Sequence, residues 1–515
     1  MKSYEKKCTL GKCSFNPNPT EMNRRRFLKQ SAWAIPALAI PEWILADPYR
    51  PLPLQTKPVS PVRIRGVVQS GGKGVPWVAV TDGVSVVTTD AKGVFTLVST
   101  SNRSFVYIST PASYKIPQNT TGTARFYRPI QPNAKGEMDV VFTLQPDETN
   151  QDRHRFLALG DVQTQNKYET ARFLNETVPD MQQTLRASSA AFGVAVGDIM
   201  FDDLTLYPDY EAGVQQMGIP FFQVMGNHDL DFDGFTDEST RTFTRHFGPT
   251  YYSFNRGAVH YVVLEDVMWV KSGYLGYIHQ EQLAWLEQDL ALVEKGRPVV
   301  LFWHIPGLST QYARDGESRP NIANCVTNRE AIYRLLKPYQ AHLISGHTHE
   351  HEHVYEGGVH EHILATVCGA WWSGDICSDG APNGYAVFEA NGESLSWRYK
   401  ATGKPDDHQI RLYKAGSEPN APDEFVANVW DWNPDWQVVW YEDGIRKGHM
   451  SRRLGYDPLA VEQMLGNQKP TRRTWAEPNR THHLFYAPTP APSVNVTVEA
   501  TDPFGKTYSQ AFRTQ

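Results

Sequence analysis

Cysteine is scarce in this sequence, with five residues in 515. No two cysteines stand in the C-x-x-C spacing of structural zinc sites, so we assign none of them to a metal. Cys368 and Cys377 flank a short loop and could form a disulfide in an oxidising compartment. Cys325 would then remain as a single thiol.

The sequence also lacks a long apolar run and a strong excess of one charge. No stretch reaches the ~18 apolar residues that a membrane-spanning helix needs, which predicts no membrane span in the mature chain. The formal net charge is −6, so we expect no nucleic-acid partner. With 21% charged and 40% hydrophobic residues, the chain has the composition of a folded protein and the length of several domains.

The N-terminal segment has the features of an export signal. Arg24 and Arg25 stand in the segment NRRRFLK, which is similar to the twin-arginine pattern. The apolar stretch that follows is interrupted by prolines and is too short to cross a bilayer. We predict a twin-arginine signal peptide over residues 1–46, with cleavage after Ala46. The mature protein would be periplasmic or secreted, with the twin-arginine export machinery as a partner.

Hydrophobic patterning divides the remaining chain into three parts. Residues 61–146 hold short alternating runs punctuated by Gly, Pro, Asn and Asp, which predicts a β-sandwich similar to carboxypeptidase-regulatory-like modules. Residues 153–400 alternate apolar strands with amphipathic segments, which predicts an α/β layered domain. Residues 408–515 return to strands and loops, which predicts a mostly-β domain.

Five short motifs in the central part are built from oxygen and imidazole ligands. In chain order they are GDVQ (Asp161, Gln163), GDIMFDD (Asp198), GNHD (Asn227, His228, Asp229), WHIP (His304) and GHTH (His347, His349). Four of the five begin with or closely follow an apolar run typical of a buried strand, and open α/β folds bind ligands just past their strand ends. A site for two cations needs about seven such side chains and one bridging carboxylate. Asp198 is the natural bridge.

These motifs, in this order and spacing, resemble the calcineurin-like metallophosphoesterase superfamily over about residues 155–395. The family pattern is D-x-H, G-D-x-x-x-[DN], G-N-H-[DE], H and G-H-x-H. The resemblance implies a central αββα domain. It also implies an exported branch with an N-terminal β-sandwich and a C-terminal β module. One position departs from the pattern, because Gln163 stands where the family usually has histidine.

The resemblance implies two divalent metal ions that share one carboxylate. It assigns the first metal to Asp161, Gln163, Asp198 and His349, and the second to Asp198, Asn227, His304 and His347. Carboxylate, imidazole and amide ligands without a thiolate suit Mn, Zn or Fe. Because an amide oxygen is a weaker ligand than imidazole, we predict that the first metal is bound more weakly.

The resemblance places His228 at the substrate rather than on a metal. Its protonated ring would stabilise the transition state and donate a proton to the leaving oxygen, while Asp229 would orient the ring. A hydroxide bridging the two metals would attack the phosphorus. We therefore predict an exported phosphoesterase that hydrolyses phosphomonoesters or phosphodiesters, either small molecules or envelope components.

The motifs leave two alternatives open. The first is a nucleotide or nucleotide-sugar pyrophosphatase, because nothing in the motifs distinguishes ester from pyrophosphate substrates. The second is a non-catalytic binding protein on the same scaffold. Only Gln163 supports that second alternative, and the intact His228 argues against it.

Residues beside the motifs carry weaker expectations. His351 and His353 continue the alternating run HTHEHEH, so we expect exposed strand positions for them. Arg314 follows His304 and is expected to be a solvated loop residue. Asp202 follows the second motif, where we expect it to cap a helix or support a ligand indirectly.

Overall fold

A computed structural model of the chain describes residues 59–234, 238–467 and 472–514. The predicted signal peptide and its cleavage site at Ala46 lie outside these residues. Across the described residues, none of the helices has both the length and the apolar character to cross a membrane.

The N-terminal part consists of strands only. They are β1 (Pro61–Ser70), β2 (Lys73–Gly74), β3 (Ala79–Thr81), β4 (Val86–Thr88), β5 (Val94–Thr100), β6 (Phe105–Ile108), β7 (Tyr127–Pro129) and β8 (Glu137–Thr143). One four-stranded sheet pairs β1 with β2, β5 and β8, and the other has the order β4-β3-β6-β7. In β5, Phe95 and Leu97 are buried while their neighbours are exposed. That period of two packs one face of each sheet inwards, as in the predicted sandwich.

Thirteen strands lie among the described residues of the central part. They are β9 (Arg153–Leu159), β10 (Phe192–Val196), β11 (Phe221–Val224), β12 (Tyr252–Arg256), β13 (Val259–Val263), β14 (Val267–Trp269), β15 (Tyr274–Gly276), β16 (Pro298–Phe302), β17 (Gln340–Ser345), β18 (Glu352–Glu356), β19 (Val359–Ile363), β20 (Gly384–Asn391) and β21 (Ser394–Ala401). Five form a sheet of order β11-β10-β9-β20-β21, and six form a sheet of order β12-β13-β16-β17-β19-β18. Strands β14 and β15 form a separate ribbon.

Helices connect these strands. They are α1 (Lys167–Arg172), continued by a π-helical turn (Phe173–Thr177) into α2 (Val178–Ala187), then a 3₁₀ turn (Leu204–Leu206), α3 (Tyr207–Gln215), α4 (Arg241–Phe247), α5 (Gln280–Leu290), α6 (Gln311–Arg314) and α7 (Arg329–Leu336). The Asn166 side chain caps α1 by accepting from two backbone amides of its first turn.

Alternate residues of the central strands face two different layers. Phe156 of β9 packs against Phe302 of β16 in the core between the two sheets. Leu157, the next residue, belongs instead to the core that includes the helix residues Phe173 and Met181. The two sheets therefore stack face to face with helices outside them, which is the predicted αββα arrangement.

The C-terminal part is mostly β. It contains β22 (Arg411–Tyr413), β23 (Glu424–Asn428), β24 (Gln437–Glu442), β25 (Ile445–His449), β26 (Ser451–Tyr456), α8 (Pro458–Leu465), β27 (Arg480–Pro488), β28 (Asn495–Thr501) and β29 (Thr507–Arg513). Two four-stranded sheets, β22-β23-β27-β26 and β25-β24-β28-β29, enclose a core that includes Phe425, Trp440 and Val498.

The cysteines of the described chain are free and buried, so Cys368 and Cys377 do not form the disulfide that their spacing allowed. The thiols of Cys368 and Cys377 instead contact different groups. Cys377 Sγ accepts from the Thr366 amide at 3.4 Å, and Cys368 Sγ lies 3.4 Å from the Gly369 carbonyl oxygen.

Candidate metal centre

Five parallel strands end at one edge of the two stacked sheets, and each is followed by one motif. β9, β10 and β11 run parallel in one sheet, and β16 and β17 run parallel in the other. The seven side chains that the sequence predicted as ligands are all at most 9% exposed: Asp161, Gln163, Asp198, Asn227, His304, His347 and His349. The parallel topology is what brings residues so distant in sequence to one place.

Asp198 lies in the middle of this set. Its Oδ1 is 3.3 Å from Nε2 of His304 and accepts from the backbone N–H of His228 at 2.8 Å. Its Oδ2 accepts from Nε2 of Gln163 at 2.9 Å. His304 Nε2 is also 3.2 Å from Oδ1 of Asn227. A carboxylate with potential ligands on both sides is in the position of a bridge.

Asp161 and the two histidines of GHTH form the other side of the centre. Both carboxylate oxygens of Asp161 accept from the His347 backbone N–H, at 3.1 and 2.9 Å. His349 Nε2 lies 3.6 Å from Asp161 Oδ1, and His347 Nδ1 lies 3.2 Å from His304 Nε2. Asp198, His304 and His347 each offer one ligand atom within 4.8 Å of the others.

Backbone carbonyls fix the orientation of two of the imidazoles. Nδ1 of His304 faces the Val196 carbonyl oxygen at 2.9 Å, and Nδ1 of His349 faces the Gly369 carbonyl oxygen at 2.7 Å. Because a carbonyl only accepts, each Nδ1 carries the proton that it donates. Each Nε2 therefore faces a carboxylate, and it would supply its lone pair to a metal ion bound between them.

The backbone of these motifs is held in a left-handed conformation that residues other than glycine rarely adopt. Five of the seven residues have φ values between 33° and 71°: Asp161, Gln163, Asp198, His347 and His349. Each such residue costs about 1–3 kcal/mol, which surrounding contacts must offset, and such strain concentrates at functional sites. Glycine permits the close approach of the loops, because a Cβ at Gly226 would lie 2.0 Å from the Asp198 amide.

The buried charges of the centre require a positive partner. Burial raises the pKa of Asp161 to about 7, with the nearby Asp198 carboxylate adding to the shift. Against the effect of burial, Asp198 and Asp161 raise the pKa of His304 to about 10. Carboxylates buried in this way hold protons or cations beside them. The donor set therefore fits divalent metal ions.

His228 is placed differently from the seven side chains. Its side chain is 26% exposed, and its Nδ1 lies 2.6 Å from Oδ1 of Asp202. Phe201 stacks on its ring with centroids 4.3 Å apart. Burial opposes protonation, but the carboxylates of Asp198 and Asp202 raise the pKa of His228 above its usual value. The ring is thus accessible, oriented and inclined to carry a proton.

Comparison with protein families identifies three successive segments of the chain. Residues 62–147 match the N-terminal domain of calcineurin-like phosphoesterases, residues 154–351 match the calcineurin-like phosphoesterase domain itself, and residues 361–508 match the corresponding C-terminal domain. The chain belongs to the calcineurin-like phosphoesterase family. The phosphoesterase-domain match over residues 154–351 is the one that contains all five motifs.

Individual relatives of this phosphoesterase are distant. Purple acid phosphatase 15 of Arabidopsis thaliana is 29% identical over 147 residues, 26% of this chain and 25% of that protein. Serine/threonine-protein phosphatase CPPED1 of Mus musculus is 29% identical over 154 residues, 30% of this chain and 47% of that protein. The chain thus spans a quarter to about half of the length of these relatives. A dimetal phosphatase structure from Danio rerio has 16% identity and a TM-score of 0.36, covering 48% of this chain and 96% of that one.

The prediction that Asp229 orients the His228 ring is wrong, because the ring partner is Asp202. The carboxylate of Asp229 is turned towards the backbone, where it accepts from the amides of Gly226, Ile199 and Met200 at 2.9–3.1 Å. It thereby ties the second motif of the phosphoesterase to the third. Asp202 belongs to the second motif and Asp229 to the third, so only the fold decides which carboxylate meets the His228 ring.

Aromatic and basic residues from the central and C-terminal parts form a rim beside the centre. Trp371 of the central part stacks on His349, with ring centroids 4.1 Å apart, and its ring is tilted against that of Trp475, with centroids 4.5 Å apart. The guanidinium of Arg473 lies 5.0 Å from the ring centroid of Phe201. The sequence could not reveal this rim, because nothing in the pattern near residue 473 indicates which strand ends it covers.

Two further expectations about neighbouring residues are wrong. His351 is 5% exposed and the side chain of His353 is 1% exposed, because the C-terminal part covers the strand that was expected to be open. Arg314 is 4% exposed and forms ion pairs with Glu350 at 2.7 Å and Glu352 at 3.6 Å, so it is not a solvated loop residue.

Proposed function

We propose that this protein is an exported, two-metal phosphoesterase that hydrolyses phosphomonoesters or phosphodiesters. The observation that carries the proposal is the convergence of seven buried ligand-type side chains beneath one partly exposed, carboxylate-paired histidine, His228. The metal ions would be Mn, Zn or Fe, held by Asp161, Gln163, Asp198, Asn227, His304, His347 and His349.

The centre would work by dividing the chemistry between the metals and His228. Bound metals would supply the hydroxide nucleophile and neutralise phosphate charge. The His228 ring, held by Asp202 and by stacking on Phe201, would donate the proton that the leaving oxygen needs. Asp229 would keep the two motif loops together and would not take part in proton transfer.

The rim suits a substrate with an organic group beside its phosphate. Phe201 is a partly buried aromatic residue beside the His228 ring, and Arg473 supplies a cation nearby. Small phosphoesters and envelope components both have this character. A nucleotide or nucleotide-sugar pyrophosphatase is the alternative within the same chemistry, and a binding protein without turnover is the alternative outside it.

Hydrolysis by the mature protein is the test of this proposal. The metal-loaded protein should be assayed against a phosphomonoester, a phosphodiester and a nucleoside diphosphate sugar, with the Asp198→Asn variant as the matched control. We expect turnover of an ester that chelator and Asp198→Asn both abolish. Turnover of the nucleotide sugar alone would favour the pyrophosphatase. Tight binding without turnover of any substrate would favour the binding protein.

A further inference from the structure

A second histidine cluster lies on the six-stranded sheet, outside the strand-end centre. It consists of His342 on β17, His353 on β18, and His360 and His362 on β19. The strand register places His342 opposite His360 and His353 opposite His362. Four imidazoles therefore meet on neighbouring strands. The ring centroids of His360 and His362 are 4.0 Å apart, and those of His342 and His362 are 5.3 Å apart.

Three of these histidines have the spacing of metal ligands. His342, His360 and His362 each offer one ring nitrogen within 4.8 Å of the other two. Nδ1 of His342 is 3.0 Å from Nε2 of His362. On a tetrahedral zinc ion with Zn–N bonds of about 2.0–2.1 Å, ligand nitrogens lie about 3.4 Å apart. Only small ring movements would admit an ion.

One nitrogen of the cluster has no partner. His362 is 1% exposed, and its Nδ1 makes no hydrogen bond within the described part of the chain. Nε2, the other nitrogen of that ring, is the one that faces His342. Burial and then the neighbouring histidines lower the pKa of His360 to about 2 and hold that of His362 well below its usual value. The rings are therefore neutral, which is the form that binds metals.

His353 and Asp431 support the cluster from outside. Nδ1 of His353 is 3.0 Å from Nε2 of His360, and its Nε2 is 2.9 Å from Oδ1 of Asp431. The same carboxylate oxygen is 3.0 Å from Nε2 of His351. Asp431 thus fixes the His353 ring, which in turn contacts His360. His351 is already satisfied, since its Nδ1 accepts from the Ala365 amide at 3.2 Å.

We infer that His342, His360 and His362 form a further metal site, for a borderline divalent transition ion such as Zn²⁺. Three imidazoles without a thiolate or carboxylate suit zinc, nickel or copper rather than magnesium or calcium. His353 is a positioning residue, fixed by Asp431 of the C-terminal part. The ion would therefore stabilise the attachment of the C-terminal part to the catalytic sheet. This inference does not depend on the proposed activity.

Zinc binding by the full-length mature chain tests the site. The background is Asp198→Asn, which is expected to lose the ions of the strand-end centre. Stripped protein is dialysed against Zn²⁺, desalted and analysed for metal. We expect about one zinc ion per chain, and a zinc-dependent rise in the unfolding midpoint. Adding His360→Gln and His362→Gln should remove both the ion and the rise.

Control variants separate this outcome from its alternatives. His449→Gln, on the exposed strand β25, should change neither zinc content nor midpoint. Should the double variant fail to fold by circular dichroism, His342→Gln alone is expected to give the same loss. Equal zinc content with and without the cluster histidines would overturn the inference, as would an Asp198→Asn protein that binds no zinc. If the Asp198→Asn chain instead binds about three zinc ions, the role of Asp198 in the proposed dinuclear centre fails. The comparison with and without the cluster histidines still tests the second site.

Discussion

Asp202 illustrates how much depends on the direction of one side chain. Its φ is 68°, and its Oδ1 lies 2.6 Å from the His228 ring. The sequence predicted that His228 faces the substrate because its motif resembles the family pattern G-N-H-[DE]. Its partner was not predictable, since both Asp202 and Asp229 belong to motifs that meet at the site. The loop conformation alone decides between them.

We expect His228→Ala to lose ~10²–10⁴-fold in turnover while keeping both metals, the range for loss of a general acid. Asp202→Asn should lose about 10-fold, because the ring keeps its place but loses its carboxylate. Since Asp202 raises the pKa of His228, its removal should shift the alkaline limb of the pH–kcat profile to lower pH. Steady-state kinetics across pH measure both effects.

The neighbouring residue provides the control for that series. Asp203 accepts from the Thr205 amide and hydroxyl and caps the 3₁₀ turn. Asp203→Asn should therefore leave the pH profile unchanged. A profile that moves equally in Asp202→Asn and Asp203→Asn would show that Asp202 does not act through the His228 ring.

Gln163 gives a second prediction at this scale. Its amide replaces the imidazole usual in the family, so we predict a weak first metal and activation of dialysed protein by added Mn. Gln163→His should tighten that site and shift its preference towards zinc or iron. Metal titration with activity as readout compares the two proteins. Equal affinity and equal preference would mean that Gln163 acts only as the hydrogen-bond donor to Asp198 seen here.

At the scale of elements, the strand ends were the most predictable feature. Continuous apolar runs such as those of β10 and β16 indicate buried parallel strands, and four of the five motifs begin with or closely follow an apolar run. The candidate ligands themselves were assigned from the resemblance of the motifs to the family pattern, and the strand ends explain why these residues converge. The alternating run that contains His351 and His353 predicted exposed histidines, and that prediction was wrong. Alternation indicates a half-exposed strand only when no other element covers its second face, and here the C-terminal part covers it.

The fastening of the C-terminal part to α1 yields a prediction about stability. Nη2 of Arg473 donates to Glu169, which is 1% exposed, and to Gln165, at 2.9 and 2.8 Å. Arg473→Met leaves that carboxylate without its cation, so we expect a loss of about 1–3 kcal/mol in the free energy of unfolding. Denaturant unfolding measures this loss.

Arg472 is the matched residue for that measurement. Its guanidinium lies 4.1 Å from the ring centroid of Tyr168, which is 49% exposed. Arg472→Met should cost less than about 1 kcal/mol, since an exposed cation–π contact contributes little. Equal losses for the two variants would mean that the Arg473–Glu169 pair does not hold the C-terminal part in place.

At the scale of the whole molecule, sequence patterning predicted three folded parts in the right order but not how they cooperate. The C-terminal part supplies Arg473 and Trp475 to the rim of the metal centre and Asp431 to the histidine cluster. Contacts of this kind join residues more than 75 positions apart in the chain. No local pattern encodes them, because they arise only when the parts pack together.

Export is the prediction that concerns the complete precursor. Arg24 and Arg25 stand ahead of a short apolar stretch, so replacing both with lysine should leave the precursor in the cytoplasm. Cell fractionation with an antibody against the mature chain gives the distribution. The unaltered precursor is the control, and undiminished export of the lysine variant would exclude a twin-arginine route.

The central claim is that the five strand-end motifs hold two metals around Asp198. Anomalous diffraction from crystals grown with Mn²⁺ tests this claim most directly. We predict two peaks about 3.5–4 Å apart, bridged by the Asp198 carboxylate, with the His228 ring beside them and not bound to either. The absence of paired peaks there, or a peak bound by the His228 ring, would contradict this account.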